Sequence, residues 1–381
     1  MSTAKRVGVL TSGGDCPGLN AVIRGVVKSA TRFGYEVVGF RRGYEGLPAP
    51  ADYMMLDRKN TLGIINQGGT ILGSTNKGRF AARKGVDERI DLDPELINEV
   101  KATFRVMGLA GLICIGGDGS LAVAEQFHEQ GLPVIGVPKT IDNDLSSTAF
   151  SFGFDSAVAC ATDAIDRLYT TAISHERVMV VEVMGRHAGW IALHSGIAGG
   201  AGVILLPEID WSFDHVCQKI QERDRENKRF TVIVVAEGAR LPSGNMVTTG
   251  NPDGPAAGQV HLGGIGDIVA QEVEHRLHRE VRCVILGHLQ RGGPPTNFDR
   301  TLATQYGAHA VRLLLQEKFG MMVSYQPPHI RAVPIKEAVG KLSQVEPGNS
   351  AVEAARALGI SFGDVAPSRA VDALGWNDTA S

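Results

Sequence analysis

Short apolar runs alternate with segments of helical periodicity along most of this chain. The strand-like runs cover residues 7–11, 37–40, 110–115, 133–137, 178–183, 202–206, 230–236 and 284–286. Apolar positions recur at helical spacing in residues 20–32, 121–130 and 157–169. Several of the runs are β-branched and apolar on both faces, which is typical of buried parallel strands. Strands separated by helices therefore predict an α/β fold with doubly wound, mostly parallel sheets.

The number of predicted strands favours two such domains, and 381 residues are enough for both. We expect the first domain to cover residues 1–152 and to be rejoined by about 289–338. The second would cover residues 153–288 and about 339–365. The stretch 241–266 is rich in Gly, Pro, Asn and Asp, which predicts a surface loop, and residues 366–381 read as a tail.

Composition narrows the functional class. Hydrophobic residues make up 43% and charged residues 21%, as in ordinary globular proteins. A net charge of -3 without a basic tail argues against a nucleic-acid partner, and the apolar runs fall short of the roughly 20 residues of a membrane helix. The five cysteines are scattered singly, which favours reduced thiols in a cytoplasmic protein.

Glycine is enriched, with 47 residues, and several glycines follow predicted strands. Residues 12–20 read SGGDCPGLN between a strand and a helix. Glycines there let backbone N–H groups approach an anion, and the helix start adds the positive end of its dipole. A tight strand-to-helix turn explains the same pattern equally well.

Two further strand ends carry acidic residues. Residues 116–120 read GGDGS, which places Asp118 at a strand end where a carboxylate suits Mg²⁺, or else caps the next helix. Residues 138–144 read PKTIDND, with Asp142 and Asp144 beside Lys139 and Thr140. One carboxylate there could take a proton from a hydroxyl while the other serves a metal, although a solvated turn has the same composition.

Cationic residues also gather near strand ends. Arg177, Arg186, Arg282 and Arg291 suit the binding of two phosphates, although each alone is more often a surface ion-pair partner. Glu237 follows another strand and could accept sugar hydroxyls, or cap a helix. Together the glycine turns, aspartates and arginines favour phosphoryl transfer, which needs positioning and charge neutralisation.

In this order, the segments 10–15, 115–120, 140–144, 181–186 and 287–293 resemble the motifs of the phosphofructokinase family, within a match over roughly residues 5–340. The resemblance implies the phosphofructokinase fold, with two similar α/β domains. It also implies that ATP and Mg²⁺ bind on the first domain and that the acceptor, fructose 6-phosphate, binds between the two, with the second as the sugar-phosphate-binding domain. The family further implies a homotetramer, or at least a dimer, with active sites shared between subunits.

The resemblance also assigns roles. It makes Asp142 the base that accepts the proton of the sugar 1-hydroxyl. Thr140 and Arg186 would steady the phosphoryl group during transfer. Asp118 would bind Mg²⁺, with Asp144 in support. The donor would meet Gly14, Lys77, Gly117, Asp118, Gly119 and Ser120. The sugar phosphate would meet Thr140, Ile141, Asp142, Arg177, Met184, Gly185, Arg186, Glu237, Arg282, His288, Leu289, Gln290 and Arg291. Of these, Arg177 and Arg282 would serve the substrate of a neighbouring subunit.

Two positions bear on the donor. Pyrophosphate enzymes of the family carry Asp where this chain has Gly119, and the ordinary bacterial ATP enzymes carry Gly where it has Lys139. We expect ATP to be the donor, because an Asp side chain in place of Gly119 would block the nucleotide whereas the side chain of Lys139 need not. A second departure is Asn76, which stands where the bacterial ATP enzymes have Arg. Lys77 and Arg79 are the candidates to replace that arginine.

The expected activity is therefore ATP-dependent phosphorylation of the 1-hydroxyl of fructose 6-phosphate, a step of glycolysis. A pyrophosphate-dependent phosphotransferase is the first alternative, motivated by Lys139. A non-catalytic, ligand-sensing homologue is a remote one, since it would be expected to lose Asp118, Asp142 or Asp144. A nicotinamide-dependent dehydrogenase would need a clean GxGxxG followed by an acidic residue, and the chain lacks this pattern.

Overall fold

The computed structural model describes residues 5–75, 78–84, 88–249 and 261–365. The strands are β1 (Arg6–Thr11), β2 (Glu36–Phe40), β3 (Tyr53–Leu56), β4 (Arg83–Lys84), β5 (Glu88–Arg89), β6 (Leu109–Gly116), β7 (Val134–Pro138), β8 (Val178–Val183), β9 (Val203–Leu205), β10 (Thr231–Ala236), β11 (Thr248–Thr249), β12 (His261–Leu262), β13 (Val281–Ile285), β14 (Met321–Gln326) and β15 (His329–Pro334). The helices are α1 (Leu19–Arg32), α2 (Pro94–Met107), α3 (Asp118–Glu129), α4 (Phe154–His175), α5 (Trp190–Ala198), α6 (Phe213–Arg225), α7 (Ile265–Leu277), α8 (Asn297–Leu315), α9 (Ile335–Ala338) and α10 (Ser350–Ala357).

The chain divides into two compact units. The first comprises Met1–Ser156 and Arg291–Ser343, and the second comprises Ala157–Gln290 and Gln344–Ser381. Each is built on its own sheet with parallel strands at its centre, so the predicted α/β class is confirmed.

The first unit has a seven-stranded sheet in the order β15-β14-β7-β6-β1-β2-β3. Its inner strands are parallel, and the two edge strands, β3 and β15, run antiparallel to their neighbours. β6 is buried along almost its whole length, which explains its unbroken apolar sequence. Parallel order places the carboxyl ends of β1, β6 and β7 along one edge of the sheet.

Local signals set the helix ends around this sheet. Asp93 accepts a hydrogen bond from the backbone N–H of Glu95 at 2.8 Å and so caps α2, with Pro94 at the first helical position and Gly108 closing the helix in a left-handed conformation. Thr296 caps α8 in the same way through the N–H of Asp299. These caps fix where each helix begins against the sheet.

The second unit has a smaller, four-stranded sheet in the order β13-β8-β10-β9, parallel throughout. Its inner strands β8 and β10 are completely buried, and they pack against apolar residues of α6 and α7. Of the helices in the described ranges, none combines the length and the apolarity that crossing a bilayer requires.

The bounds of some elements differ from the sequence predictions. The strand expected at 284–286 begins at Val281, so Arg282 lies inside β13 rather than before it. β13 is an edge strand, and the exposed Arg282 interrupts its apolar run. The helix expected from residue 121 begins at Asp118. The prediction missed its first turn because Gly119 is a poor helix former.

The stretch 241–266, predicted as a loop, contains the short antiparallel pair β11 and β12 and ends inside the first turn of α7. Within it, residues 250–260 lie outside the described residues, as do the predicted tail 366–381 and the positions 76 and 77. The prediction failed at its C-terminal end because Gly263 and Gly264, which break helical periodicity, directly precede α7.

Candidate functional site

The candidate site of the first unit is a row of three turns. They follow β1, β6 and β7, which are neighbours in the sheet. The backbone N–H of Ser12 donates to the carbonyl of Ile115 at 2.9 Å, and that of Lys139 donates to Gly116 at 2.9 Å. The three turns that sequence reasoning singled out separately therefore lie side by side.

The turn after β1 requires glycine at defined positions. Gly13 and Gly18 have φ of 83° and 108°, a region that side chains disfavour. A Cβ on Gly14 would lie 2.8 Å from Nη1 of Arg291, which also donates to the carbonyl of Asp15 at 3.2 Å. Arg291, expected at the sugar phosphate, thus belongs to the first unit and lies directly against the proposed donor turn.

Both helices that follow the glycine turns begin without a side-chain cap. Gly18 precedes α1 and Gly117 precedes α3, and neither glycine has a side chain that could cap the first N–H groups. Uncapped N–H groups at a helix start, together with the helix dipole, suit a phosphate group. This is the arrangement expected for a donor such as ATP.

Asp118 occupies the first position of α3 and is held from two sides. Its Oδ1 accepts a hydrogen bond from the N–H of Gly340 at 2.8 Å, and its Oδ2 lies 3.6 Å from Nε of Arg83. Neither neighbour was identified from the sequence, because both come from distant segments and neither belongs to a recognisable motif. Arg79, one candidate for the missing donor arginine, instead forms an ion pair with Glu45 at 3.2 Å.

The turn after β7 is ordered by its own side chains. The Thr140 hydroxyl donates to Oδ1 of Asp144 at 3.0 Å and accepts from the N–H of Asp142 at 3.1 Å. Burial raises the pKa of Asp144, the Thr140 hydroxyl lowers it, and the nearby Asp118 carboxylate raises it. The Asp118 carboxylate therefore lies close enough to act on Asp144 electrostatically. The side chain of Ile141, in the same turn, is buried in the core.

Lys139 is 4% exposed, and its ammonium donates to the carbonyl of Gly14 at 2.5 Å. Burial lowers the pKa of Lys139, and its largest opposing influence is the Cys16 thiol. The lysine thus ties the turn after β7 to the turn after β1. Its charge is directed at a backbone carbonyl inside the unit.

Gly119 is exposed in the first turn of α3. A Cβ built there meets no atom within 4 Å, and its φ lies outside the left-handed region. At Gly117, by contrast, a Cβ would lie 3.2 Å from the Lys139 carbonyl. The backbone carbonyl of Ser120 accepts a hydrogen bond from the Tyr44 hydroxyl at 2.7 Å. Lys77, the other residue expected at the donor, lies outside the described residues.

The second unit has a candidate site of its own, at the ends of β13, β8 and β10. The N–H of Glu237 donates to the Val183 carbonyl at 2.8 Å, and that of Leu286 donates to Glu182 at 3.0 Å. Gly185, directly after β8, has φ of 136° and carries the chain into the exposed Arg186. These neighbouring strand ends therefore form a single rim.

Three of the predicted sugar-binding residues, Met184, Glu237 and His288, line one pocket of about 260 Å³ in this unit. Glu182 and Asp267 line it too, and sequence reasoning missed both of them. Glu182 accepts hydrogen bonds from the N–H groups of Gly264 and Gly266 at the start of α7. Burial raises the pKa of Glu182, and these backbone bonds lower it.

The remaining predicted residues of the second unit differ in their surroundings. The Gln290 side chain is fully buried, where it accepts from the Met184 N–H at 3.3 Å and donates to the Gly287 carbonyl at 3.1 Å. Leu289 is 68% exposed. Gln290 thus orders the two turns that carry Met184 and His288.

Arg177 and Arg282 converge on one carboxylate. Nε of Arg177 lies 2.6 Å from one oxygen of Glu280, and Nη2 of Arg282 lies 2.5 Å from the other. The Arg177 guanidinium holds the pKa of Glu280 below its usual range, with a smaller contribution from Arg282. The two arginines therefore stand where they can share one anion.

Comparison with known proteins supplies an independent line of evidence. A family model described as phosphofructokinase matches residues 6–314. An ATP-dependent 6-phosphofructokinase of Chloroflexus aurantiacus is 52% identical over 95% of this chain and 99% of that protein. A pyrophosphate–fructose 6-phosphate 1-phosphotransferase of Streptomyces coelicolor is 48% identical over 90% of this chain and 96% of that protein. Among solved structures, Pichia pastoris phosphofructokinase in the T-state matches with a TM-score of 0.77 at 28% identity, covering 98% of this chain and 38% of that longer chain.

Proposed function

Because this chain belongs to the phosphofructokinase family, we propose that it transfers the terminal phosphoryl group of ATP to the 1-hydroxyl of fructose 6-phosphate. The observation that carries the proposal is the row of neighbouring turns in the first unit, which bear Asp118, Asp142 and Asp144 beside uncapped helix starts. The proposal includes the cytoplasmic location in which glycolysis takes place.

Asp142 acts as the general base in this proposal. The 1-hydroxyl oxygen attacks the terminal phosphorus, the bond to the leaving ADP oxygen breaks, and the hydroxyl proton passes to the Asp142 carboxylate. Thr140 supports this role, because its hydroxyl bonds both the Asp142 N–H and the Asp144 carboxylate and so fixes the turn. Arg186 is proposed to steady the transferred group.

The residues present fit a magnesium ion. Within the described residues, no group of three or more His, Cys, Asp and Glu side chains forms a metal cluster, but Mg²⁺ is commonly held by one or two carboxylates, donor phosphates and water. Asp118 would hold the ion with Asp144 in support, and their mutual repulsion would be relieved by a cation. When bound, Mg²⁺ neutralises charge on the donor phosphates.

ATP as the donor is supported by the space at Gly119, where a Cβ would have no atom within 4 Å of it. The uncapped N–H groups at the starts of α1 and α3 would meet the donor phosphates, together with Gly14, Gly117 and Ser120. The 52% identity to an enzyme named as ATP-dependent supports the same donor.

The acceptor is assigned chiefly to the second unit. Met184, Glu237 and His288 line a pocket that also contains Glu182 and Asp267. The carboxylates of Glu237, Glu182 and Asp267 are suited to accept hydrogen bonds from sugar hydroxyls. Arg177 and Arg282 are proposed to reach the phosphate bound by a neighbouring subunit, which makes the protein a homotetramer or dimer. Their convergence on Glu280 supports a paired role in anion binding.

Pyrophosphate is the rival donor. It is favoured by Lys139 and by relatives of similar identity that are named as pyrophosphate enzymes. Against it, the ammonium of Lys139 is bonded to the Gly14 carbonyl, and the position of Gly119 is open. The residues in the donor turns thus favour ATP.

Initial-rate phosphorylation of fructose 6-phosphate, with Mg²⁺ and with ATP, ADP or pyrophosphate offered in parallel, tests the proposal. Turnover with ATP alone is expected. Turnover with pyrophosphate would reverse the weight given to Gly119 and Lys139, and turnover with ADP would mean that neither residue is the main donor filter. Absence of turnover with every donor would favour the non-catalytic alternative.

Replacing Asp118 with asparagine should raise the Mg²⁺ concentration for half-maximal activity by roughly 10- to 100-fold, because one charged ligand is lost. Asparagine retains the oxygen that accepts from Gly340, so the fold should persist. The measurement is a Mg²⁺ titration of the rate at saturating substrates. Asp91→Asn removes another carboxylate that is paired with an arginine and should leave the titration unchanged; an unchanged titration for Asp118→Asn would remove Asp118 from the metal site.

Replacing Arg177 with alanine should raise KM for fructose 6-phosphate by roughly 10- to 100-fold, because a charge-assisted hydrogen bond to the phosphate is lost. Steady-state kinetics combined with gel filtration separates this effect from loss of the oligomer. Arg167→Ala is the matched control, since Arg167 also pairs with a carboxylate and lies on α4. Unchanged affinity in the Arg177 variant would count against shared sites.

A further inference from the structure

A pocket of about 630 Å³ lies in the first unit where the end of α8 meets β14 and β15. It is lined by α8, by the turn that follows this helix, and by both strands of the edge hairpin. None of the residues proposed above for the donor, the metal or the sugar phosphate lines it. The pocket therefore needs an explanation of its own.

Positive charge is concentrated around this pocket. Arg312 on α8, Lys318 in the following turn and Arg331 on β15 line it, against the single carboxylate of Glu317. Across the described part of the chain, none of these three cations lies within ion-pair distance of a carboxylate.

Some exposed arginines in the described part of the chain do form ion pairs. Arg89, Arg167 and Arg276 lie 2.6–2.8 Å from carboxylates. What distinguishes Arg312, Lys318 and Arg331 is that three cations without an ion pair among the described residues line one pocket. Cations that are crowded together repel one another, and an anion in the pocket would relieve that repulsion.

The environment of His309 reflects the positive charge around the pocket. It lines the pocket one helical turn before Arg312. Burial lowers the pKa of His309, and the neighbouring positive charges of Arg312 and Lys318 lower it further. No acidic group offsets these two influences on the imidazole.

The wall of the pocket is apolar. Phe319, Met321 and Ile330 line it and remain partly exposed, and Leu313 lies beneath them in the core. Pockets of 300–1,000 Å³ that combine an apolar wall with a few placed polar groups are the usual sites for small organic ligands. A bare inorganic anion would leave this wall unused.

We propose that this pocket is a second ligand site that binds a nucleoside phosphate. The base packs against Phe319, Met321 and Ile330, and the phosphates meet Arg312, Lys318 and Arg331. Guanidinium groups suit phosphate oxygens because they donate two parallel hydrogen bonds, and the aromatic ring of Phe319 offers a face for stacking. The site is separate from the catalytic donor turns.

Equilibrium dialysis measures how many ADP molecules bind per chain. Comparing the wild type with a variant of this pocket tests the site even if ADP also binds elsewhere. The double variant Arg312→Gln with Lys318→Gln should bind one ADP per chain fewer than the wild type, while kcat at saturating substrates stays unchanged. The control, Lys101→Gln with Arg105→Gln on α2, removes the same charge and should bind as the wild type does. Equal ADP counts in the wild type and the double variant, or an equal loss in the control, would overturn the proposal.

Two further measurements locate the ligand and its chemical class. Photolabelling of the full-length wild type with an azido-ADP should mark peptides within residues 309–332, and labelling confined to other segments would contradict the site. The ADP that binds to the wild type but not to the double variant is the ADP held by this pocket. Pyrophosphate should compete for this binding at least about tenfold more weakly than unlabelled ADP, since it cannot contact the apolar wall. Equal competition would overturn the nucleoside part of the proposal.

Discussion

Replacing Asp142 with serine will lower kcat by about 10²- to 10⁴-fold and leave the affinity for fructose 6-phosphate nearly unchanged. The loss is expected because the proposed base disappears, whereas most groups proposed to hold the sugar phosphate lie in the second unit. The Thr140 hydroxyl, which bonds the N–H and not the carboxylate of Asp142, should still order the turn. Single-turnover rates and equilibrium binding of fructose 6-phosphate, measured on the same preparation, separate chemistry from binding.

Asp93→Ala is an informative control for that variant. It removes the cap of α2 and should cost about 0.5–2 kcal/mol of stability, but it should leave kcat at the wild-type value. The pair thus distinguishes a catalytic carboxylate from a structural one. Turnover near the wild-type level in Asp142→Ser would remove Asp142 from the role of base.

Replacing Gly119 with aspartate will lower kcat/KM for ATP by about a hundredfold. The new carboxylate enters open space in the first turn of α3, where the donor phosphates are proposed to bind. Two like charges about 5 Å apart repel by roughly 3 kcal/mol at an effective dielectric constant near 20. Because the backbone of Gly119 lies outside the left-handed region, the substitution should not strain the fold.

Gly119→Ala provides the matched control at the same position. Its methyl group meets no atom within 4 Å, so ATP turnover should remain close to that of the wild type. Comparing kcat/KM for ATP and for pyrophosphate in both variants isolates the effect of the carboxylate, and the preference should shift towards pyrophosphate only in Gly119→Asp. Equal use of ATP by the two variants would remove Gly119 as a donor filter.

The central strands were the easiest part of the fold to predict. β1, β6, β8 and β10 are buried on both faces, so their sequences are largely apolar. The edge strand β13 was placed too late, because the exposed Arg282 interrupts its apolar run. The start of α7 was missed because glycines precede it.

The individual motifs of the site could also be predicted, because turn chemistry acts within a few residues. Gly13 adopts a left-handed conformation, and Asp118 begins a helix, as local sequence rules allow. What the motifs could not indicate were the partners of each side chain. Arg83 and Glu280 belong to no motif, yet the first lies against Asp118 and the second joins two arginines.

By itself, the sequence determined the parallel α/β class and the positions of the acidic and glycine-rich turns at strand ends, since hydrophobic periodicity and turn conformation depend on neighbouring residues. Only the tertiary structure decided that Lys139 reaches Gly14, 125 residues away, and that Gly340 bonds Asp118 across 222 residues. It also assembled the cationic pocket at the end of α8. Such contacts depend on how sheets and helices pack, and no periodicity within the chain records which distant side chains then meet.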